Sequence, residues 1–369
     1  MHIGKEKENF KCCEVKLDCW KTEEFLDNQN KINIKEKYIG KQSVKEVQEE
    51  KWLGNILSTD GKNEKDLRRK TKKANGTINK IKLILETTPF GKYNFEVGKI
   101  LIDSLLIGSI LCNSEVAYNL IQSEVDLLEK THEKALRMLL NCGKATPKIM
   151  LYFITGSVPI RIQIQRRRLV YLHNILNQDK ESLLYTFFMK QMESRKSKDW
   201  ATTILKDLTQ FEIDMKLDEI ESIPIEKWKL FVKEKTFLKT LEYLNSEKGG
   251  KTENIEFSEV VMAPFLLPND EISIQMAKFI VQIQCRTIRE VKCNFKNENK
   301  NNILCNSCQI SECTQRHLLS CPKLIGGNEL LTYIPNYEDI FGNNITEQAY
   351  IASLMLENLR RKKLFENCI

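Results

Sequence analysis

Lys62-Asn-Glu-Lys-Asp-Leu-Arg-Arg-Lys-Thr-Lys-Lys-Ala-Asn-Gly-Thr-Ile-Asn-Lys-Ile-Lys-Leu-Ile-Leu-Glu86 decides the fold class of this chain. Leu67, Thr71, Ala74, Ile78, Ile81 and Leu85 recur at alternating spacings of four and three, which places them on one face of a helix ending near Glu86. The opposite face is cationic. Lysines and arginines at 62, 65, 68, 69, 70, 72, 73, 80 and 82 stand against Glu64 and Asp66, a local balance of +7. That equals the formal charge of the whole 369-residue chain, so the remainder is neutral in sum. Such a helix is either a solvated surface or a phosphate-binding one, because like charges this dense repel unless an anion relieves them.

Working downstream, the pattern stays helical. Val97 to Cys112 is apolar nearly all round, as in a buried helix. Ser123-Glu-Val-Asp126 reads as a capping-box start to a helix carrying Val125, Leu128, Ala135, Leu136 and Leu139. Thr146-Pro147 opens a shorter helix ending near Gly156, and Pro159 sits in the first turn of one that runs to about Asn177. That last helix carries a second basic cluster, Arg161 with Arg166, Arg167 and Arg168, while Ile160, Ile164, Leu172 and Ile175 mark its buried side. An ordinary exposed basic face is the plainer reading of these arginines, phosphate contact the functional one. From Ser182 to Asn245 aromatics such as Trp200 and Trp228 recur at core spacings. Residues 249–269 read as a linker. Its Gly-Gly-Lys-Thr lacks the first glycine of a phosphate loop.

Upstream, Lys51-Trp-Leu-Gly-Asn-Ile-Leu-Ser-Thr-Asp-Gly61 reads as a strand, Trp52 to Leu57, closed by an Asp60-Gly61 turn. A lone strand is unstable, so it either pairs with weaker pieces upstream or belongs to a sheet whose other strands lie elsewhere. The expected architecture is mainly α: a helical bundle over 62–248, a short β-containing segment over 1–61, and a small cysteine-rich region over 270–369.

Charged residues are 29% and hydrophobic residues 41%, an ordinary globular balance. The longest greasy run, Ile100 to Cys112, contains Asp103 and is shorter than a bilayer span, so no membrane contact is expected. No apolar leader follows Met1. The twelve cysteines are scattered through a long chain, which fits reduced thiols in the cytoplasm or nucleus.

The sharpest local signal is Cys305-Asn-Ser-Cys308-Gln-Ile-Ser-Glu-Cys313-Thr-Gln-Arg-His317-Leu-Leu-Ser-Cys321. Cys305 and Cys308 can place two thiolates on one tetrahedral ion, and His317 and Cys321 lie one helical turn apart, which supplies four ligands. Cys313 is a fifth candidate, and a coincidental grouping in a cysteine-rich chain is the alternative. A closed four-ligand zinc site has no position for water, so the zinc would be structural. No nucleophile-base grouping and no carboxylate pair for two-metal chemistry can be read from the sequence.

The order of these features resembles the C-terminal half of non-LTR retrotransposon reverse transcriptases. The likeness rests on Met1-His-Ile-Gly-Lys5, the Lys51–Gly61 segment, Asn113-Ser-Glu115, Gly156-Ser-Val-Pro-Ile-Arg161 with Arg166-Arg-Arg168, and the terminal cysteine/histidine cluster. It implies that Trp52, Leu53 and Gly54 belong to the edge of a polymerase palm, that Lys62 to Lys82 opens a helical thumb, and that Cys305, Cys308, His317 and Cys321 form a zinc knuckle that helps bind RNA or DNA. The family polymerises with palm aspartates in a Y-x-D-D turn, and no such tetrapeptide occurs here. The expectation is therefore a thumb-and-knuckle part of a reverse transcriptase, no enzyme by itself, binding RNA or DNA through Arg68, Arg69, Lys72, Lys73, Arg166, Arg167 and Arg168. The alternative is a self-standing zinc-stabilised helical protein that binds nucleic acid or another protein. Work at chromosomal DNA, and so a nuclear location, follows from the resemblance alone.

Overall fold

A computed structural model describes residues 38–39, 42–43, 48–52, 55–58, 63–88, 90–91, 94–117, 120–194, 199–249, 252, 255, 257–285, 307–308, 315–325, 337–342 and 344–366. The chain divides into two compact units, Met1–Lys62 and Asn63–Ile369, and the fold is mainly α.

The first unit contains two antiparallel pairs, β1 (Tyr38–Ile39) with β2 (Gln42–Ser43) and β3 (Glu49–Trp52) with β4 (Asn55–Ser58). The register of the second pair runs from Glu49 opposite Ser58 to Trp52 opposite Asn55. The single strand expected over Trp52 to Leu57 is thus two strands folded on each other, joined by only two residues. Pairing across the connection satisfies backbone groups that one isolated strand would leave to water. Leu53, Gly54, Asp60 and Gly61 lie outside the described residues.

The second unit opens with α1 (Glu64–Thr87), whose Leu67, Ala74, Ile78 and Ile81 are buried on the side expected. Asp66 and Lys70 are buried with them. Lys70 Nζ lies 2.8 Å from Asp66 and donates to the Cys112 carbonyl at 2.8 Å, so this lysine leaves the cationic face and ties α1 to the chain 42 residues on. Next, α2 (Asn94–Leu101) continues into a π-helical segment, Ile102–Ile107, and then α3 (Gly108–Ile110). This run is less uniformly buried than its composition suggests: Ile102, Leu106 and Ile110 are inside, whereas Ile100 and Leu105 are exposed.

Helix α4 (Gln122–Leu140) takes in Ser123, the residue expected to cap it. The cap is instead Ile121, whose backbone N–H donates to the Glu124 side chain at 3.0 Å, so the helix starts slightly earlier than the serine suggests. The proline and glycine punctuation works as read. α5 (Lys148–Thr155) lies between Pro147 and Gly156, and α6 (Ile160–Leu176) starts after Pro159. Gly156 has φ of +59°, and a Cβ there would lie 2.4 Å from the Val261 carbonyl carbon, so only glycine permits the approach that lets Ala263 N–H reach the Ile154 carbonyl at 2.9 Å.

Then come α7 (Leu183–Ser194), α8 (Trp200–Gln210), α9 (Leu217–Ser222), α10 (Ile225–Ser246), α11 (Ile274–Gln284), α12 (Gln315–Ser320), α13 (Pro322–Ile325) and α14 (Ile345–Glu366). Two hydrophobic cores share α6. Ile160 and Ile164 join α1 through α5, α11 and α14, while Ile162, Leu169 and Leu172 join α7 through α10. Trp228, fully buried in the second, donates from its indole to the Leu169 carbonyl at 2.9 Å. Residues 249–269, expected as a linker, contribute Ile255, Phe257, Phe265 and Leu266 to the first core, so the helical region and the cysteine-bearing region are parts of one packed unit. Among the described residues no helix is long and apolar enough to cross a membrane.

Candidate functional site

Three regions contain the residues singled out by sequence. The first is the cysteine/histidine group. Cys308, His317 and Cys321 place their ligand atoms within 4.8 Å of one another, the one such group of at least three among the described residues. Cys308 Sγ lies 3.3 Å from His317 Nε2. A zinc ion bound at about 2.3 Å to sulfur and about 2.0 Å to nitrogen would set a tetrahedral S···N edge of about 3.5 Å, so the spacing fits such an ion. Two thiols and an imidazole are also the donor set zinc prefers. The group belongs to the first core: Cys321 is fully buried and Leu318 and Leu319 pack inward beside it. Asn358 of α14 clamps it from behind, donating to the Leu318 carbonyl at 2.8 Å. Cys305 and Cys313 lie outside the described residues.

The second region is the outer face of α1. Arg68 is exposed and pairs with Glu64 at 2.7 Å; Arg69 pairs with Asp66 at 2.8 Å. Lys72, Lys73 and Lys80 are exposed, and none makes an ion pair among the described residues. The uncompensated charge therefore sits further along the helix than Arg68 and Arg69.

The third is α6, where the three consecutive arginines have three different fates. Arg168 is buried and bidentate on Asp207, Nε to Oδ2 at 2.6 Å and Nη2 to Oδ1 at 3.0 Å, with Nη1 also donating to the Ala117 carbonyl. Buried and paired with Asp207, it is not presented to a phosphate, which corrects its place among the nucleic-acid candidates: the helical turn that exposes Arg166 points Arg168 into the protein. Arg167 donates to the Leu111 carbonyl at 3.0 Å and lies 3.9 Å from Glu115. Arg166 is exposed and has neither a carboxylate nor a carbonyl partner among the described residues.

Arg166 and Arg167 open onto a cleft of about 670 Å³ walled by Lys99 and Asp103 on the π-helical side, by α6, and by Lys229 of α10. Partial burial first, and the Arg167 charge second, push the Arg166 guanidinium pKa down. On the same wall, burial and then the Glu115 charge push the Tyr171 hydroxyl up. Lys99, Tyr171 and Lys229 were not singled out by sequence, and Glu115 was named only within the Asn113-Ser-Glu115 motif of the resemblance, with no role assigned to it. Arg167 and Tyr171 at an interval of four were the available hint, but nothing local says which helices face them.

A buried polar group lies behind these surfaces. Tyr152 donates its hydroxyl to Glu129, whose other oxygen accepts the Arg161 backbone N–H at 3.0 Å. His132 lies against the Tyr152 ring at 5.6 Å, and neither of its ring nitrogens has a hydrogen-bond partner among the described residues. Desolvation, and then the charge of Lys99, hold its pKa down at about 3. Burial pushes the Glu129 carboxyl up.

No family model matches the sequence, and neither a curated protein nor a solved structure matches it.

Proposed function

We propose that this chain is a thumb-and-knuckle part of a non-LTR retrotransposon reverse transcriptase that binds RNA or DNA through the outer face of α1 and carries a structural zinc at Cys308, His317 and Cys321, with Cys305 as the fourth ligand. The observation that supports nucleic-acid binding is the uncompensated charge of Lys72, Lys73 and Lys80, exposed on one side of a helix whose other side is locked into the core. Zinc supplies folding energy here, holding a short cysteine-rich loop to α12 and, through Asn358, to α14. No polymerisation is assigned to the chain, because two-metal phosphoryl transfer needs paired carboxylates and the sequence contains no Y-x-D-D turn.

The test is the salt dependence of binding to a fluorescent single-stranded oligonucleotide. The full chain should lose affinity steeply with salt, and K72Q/K73Q/K80Q should weaken binding and lower the log–log slope by about two, at about 0.7 per lost single-strand contact. Unchanged affinity and slope would remove α1 from the interface. A second reading, a protein-interaction module, is favoured by exposed apolar side chains on α7, Leu183 at 84% and Phe187 at 58% exposure; it is the outcome if zinc is bound and no nucleic acid is.

A further inference from the structure

We infer that the cleft between the π-helical segment, α6 and the start of α10 holds one ribonucleotide unit of an RNA strand, its phosphate on Arg166 and its 2′-hydroxyl donating to Glu115. This rests on the nucleic-acid reading above and says where, and by what chemistry, RNA is preferred to DNA.

The cations of the cleft are not equivalent. Lys99 is taken by Asp103, Lys229 lies 2.9 Å from Glu226, and Arg167 gives one Nη1–H to the Leu111 carbonyl and keeps its other donors. Arg166 alone among them has no internal acceptor among the described residues, and it stands beside a second guanidinium. Two adjacent guanidinium groups with one unpartnered repel each other and are relieved by an anion that reaches both, which a phosphate with its several acceptor oxygens does. The Tyr171 hydroxyl and the Asn174 amide line the same wall with no hydrogen-bond partner among the described residues, and both can donate to phosphate or sugar oxygens.

Glu115 supplies the complementary group. Its Oε2 is buried in the cleft wall with no hydrogen-bond partner among the described residues, its ion pair with Arg167 being a long one at 3.9 Å. Its place is fixed, since its own carbonyl accepts the Trp200 indole N–H at 2.8 Å. A buried acceptor left unpaired is costly, and a carboxylate beside a phosphate site repels a ligand unless that ligand brings a donor. Phosphates bring none, whereas ribose brings a hydroxyl that deoxyribose lacks. The cleft volume lies in the range of sites that enclose a small ligand. Its far wall is a six-residue π-helical run, an arrangement found mostly at functional sites.

The experiment is fluorescence anisotropy of the full chain with labelled U12 and dU12, for the wild type, Arg166→Gln and Glu115→Ala, with thermal unfolding to show that each variant folds. Arg166→Gln should weaken both strands about tenfold and lower the salt slope by about 0.7. Glu115→Ala should leave dU12 binding equal or tighter, since a negative charge is removed, while the ratio of U12 to dU12 affinity falls about tenfold. Wild-type affinity in Arg166→Gln, with the α1 lysine variant impaired, overturns the cleft and leaves the nucleic-acid reading standing. A parallel gain for both strands in Glu115→Ala overturns the hydroxyl contact. Competition by free uridine monophosphate as effective as by U12 overturns the strand in favour of a free nucleotide. Failure of the wild type to bind either strand defeats the underlying reading itself.

Discussion

Acidification should destabilise the helical unit through His132, and replacing that one residue should remove the effect. The imidazole is fully buried in α4, both nitrogens lack hydrogen-bond partners among the described residues, and desolvation followed by the Lys99 charge hold its pKa at about 3 against an ordinary 6.5. In the unfolded chain the same ring protonates below about pH 6.5. The unfolded state therefore binds more protons between those values, and stability falls as the pH drops through about 6.5 toward 3. At pH 5 the unfolded ring is protonated about thirtyfold over, which costs about 2 kcal/mol, and the cost reaches about 4 kcal/mol at pH 3. Glu129, raised by burial, acts in the opposite sense, gaining stability as the pH falls through its folded value. It is present in both proteins of the comparison, so the difference isolates the histidine. The assay is urea unfolding of wild type and His132→Leu at pH 7 and pH 5 at constant ionic strength. Wild type should lose about 2 kcal/mol more than the variant, and the variant should be at least as stable at pH 7, because two orphaned buried nitrogens are gone. Equal pH dependence in the two proteins, or a His132 resonance titrating near 6.5, would refute the reasoning.

Two further outcomes follow from the packing. Arg168→Ala should cost about 3–5 kcal/mol in urea unfolding, because Asp207 would be left as an uncompensated buried carboxylate; a loss below about 1 kcal/mol would mean the pair is solvated. Zinc removal by a chelator should expose the backbone amides of α12 and of the part of α14 around Asn358 to hydrogen exchange while α8 and α9, in the second core, stay protected; uniform protection before and after chelation would separate the metal from the fold.

The helices were legible because their signals are local. α1 shows its buried stripe in the spacing of Leu67 to Ile81, and Pro147, Gly156 and Pro159 set the ends of α5 and α6 through backbone restrictions that operate within a few residues. The cysteine/histidine group was legible for the same reason, since Cys308, His317 and Cys321 lie within one short stretch. What escaped was long-range. Arg168 looks like any arginine of its cluster until Asp207, 39 residues on, is brought against it, and Lys70 looks like a surface charge until the Cys112 carbonyl arrives. Residues 249–269 carry the glycines of a linker, yet Phe257 and Phe265 are buried in the same core as α1 to α5, which periodicity in a single segment does not reveal. The hairpin of β3 and β4 was hidden because Leu53-Gly54 is not among the strong two-residue turn signals. The cleft combines side chains from several elements, and its key feature, an arginine and a buried carboxylate oxygen that have no hydrogen-bond partner among the described residues, exists only once the fold has decided which charges are spent elsewhere.

The measurement that bears most directly on the thumb-and-knuckle account is the metal content of the purified full chain, with Cys308→Ser and Cys321→Ser beside it. The account predicts one zinc per chain that survives dialysis, and its loss from both variants together with loosening of α12. A chain that holds no stoichiometric zinc, as isolated or after reconstitution under reducing conditions, would contradict it.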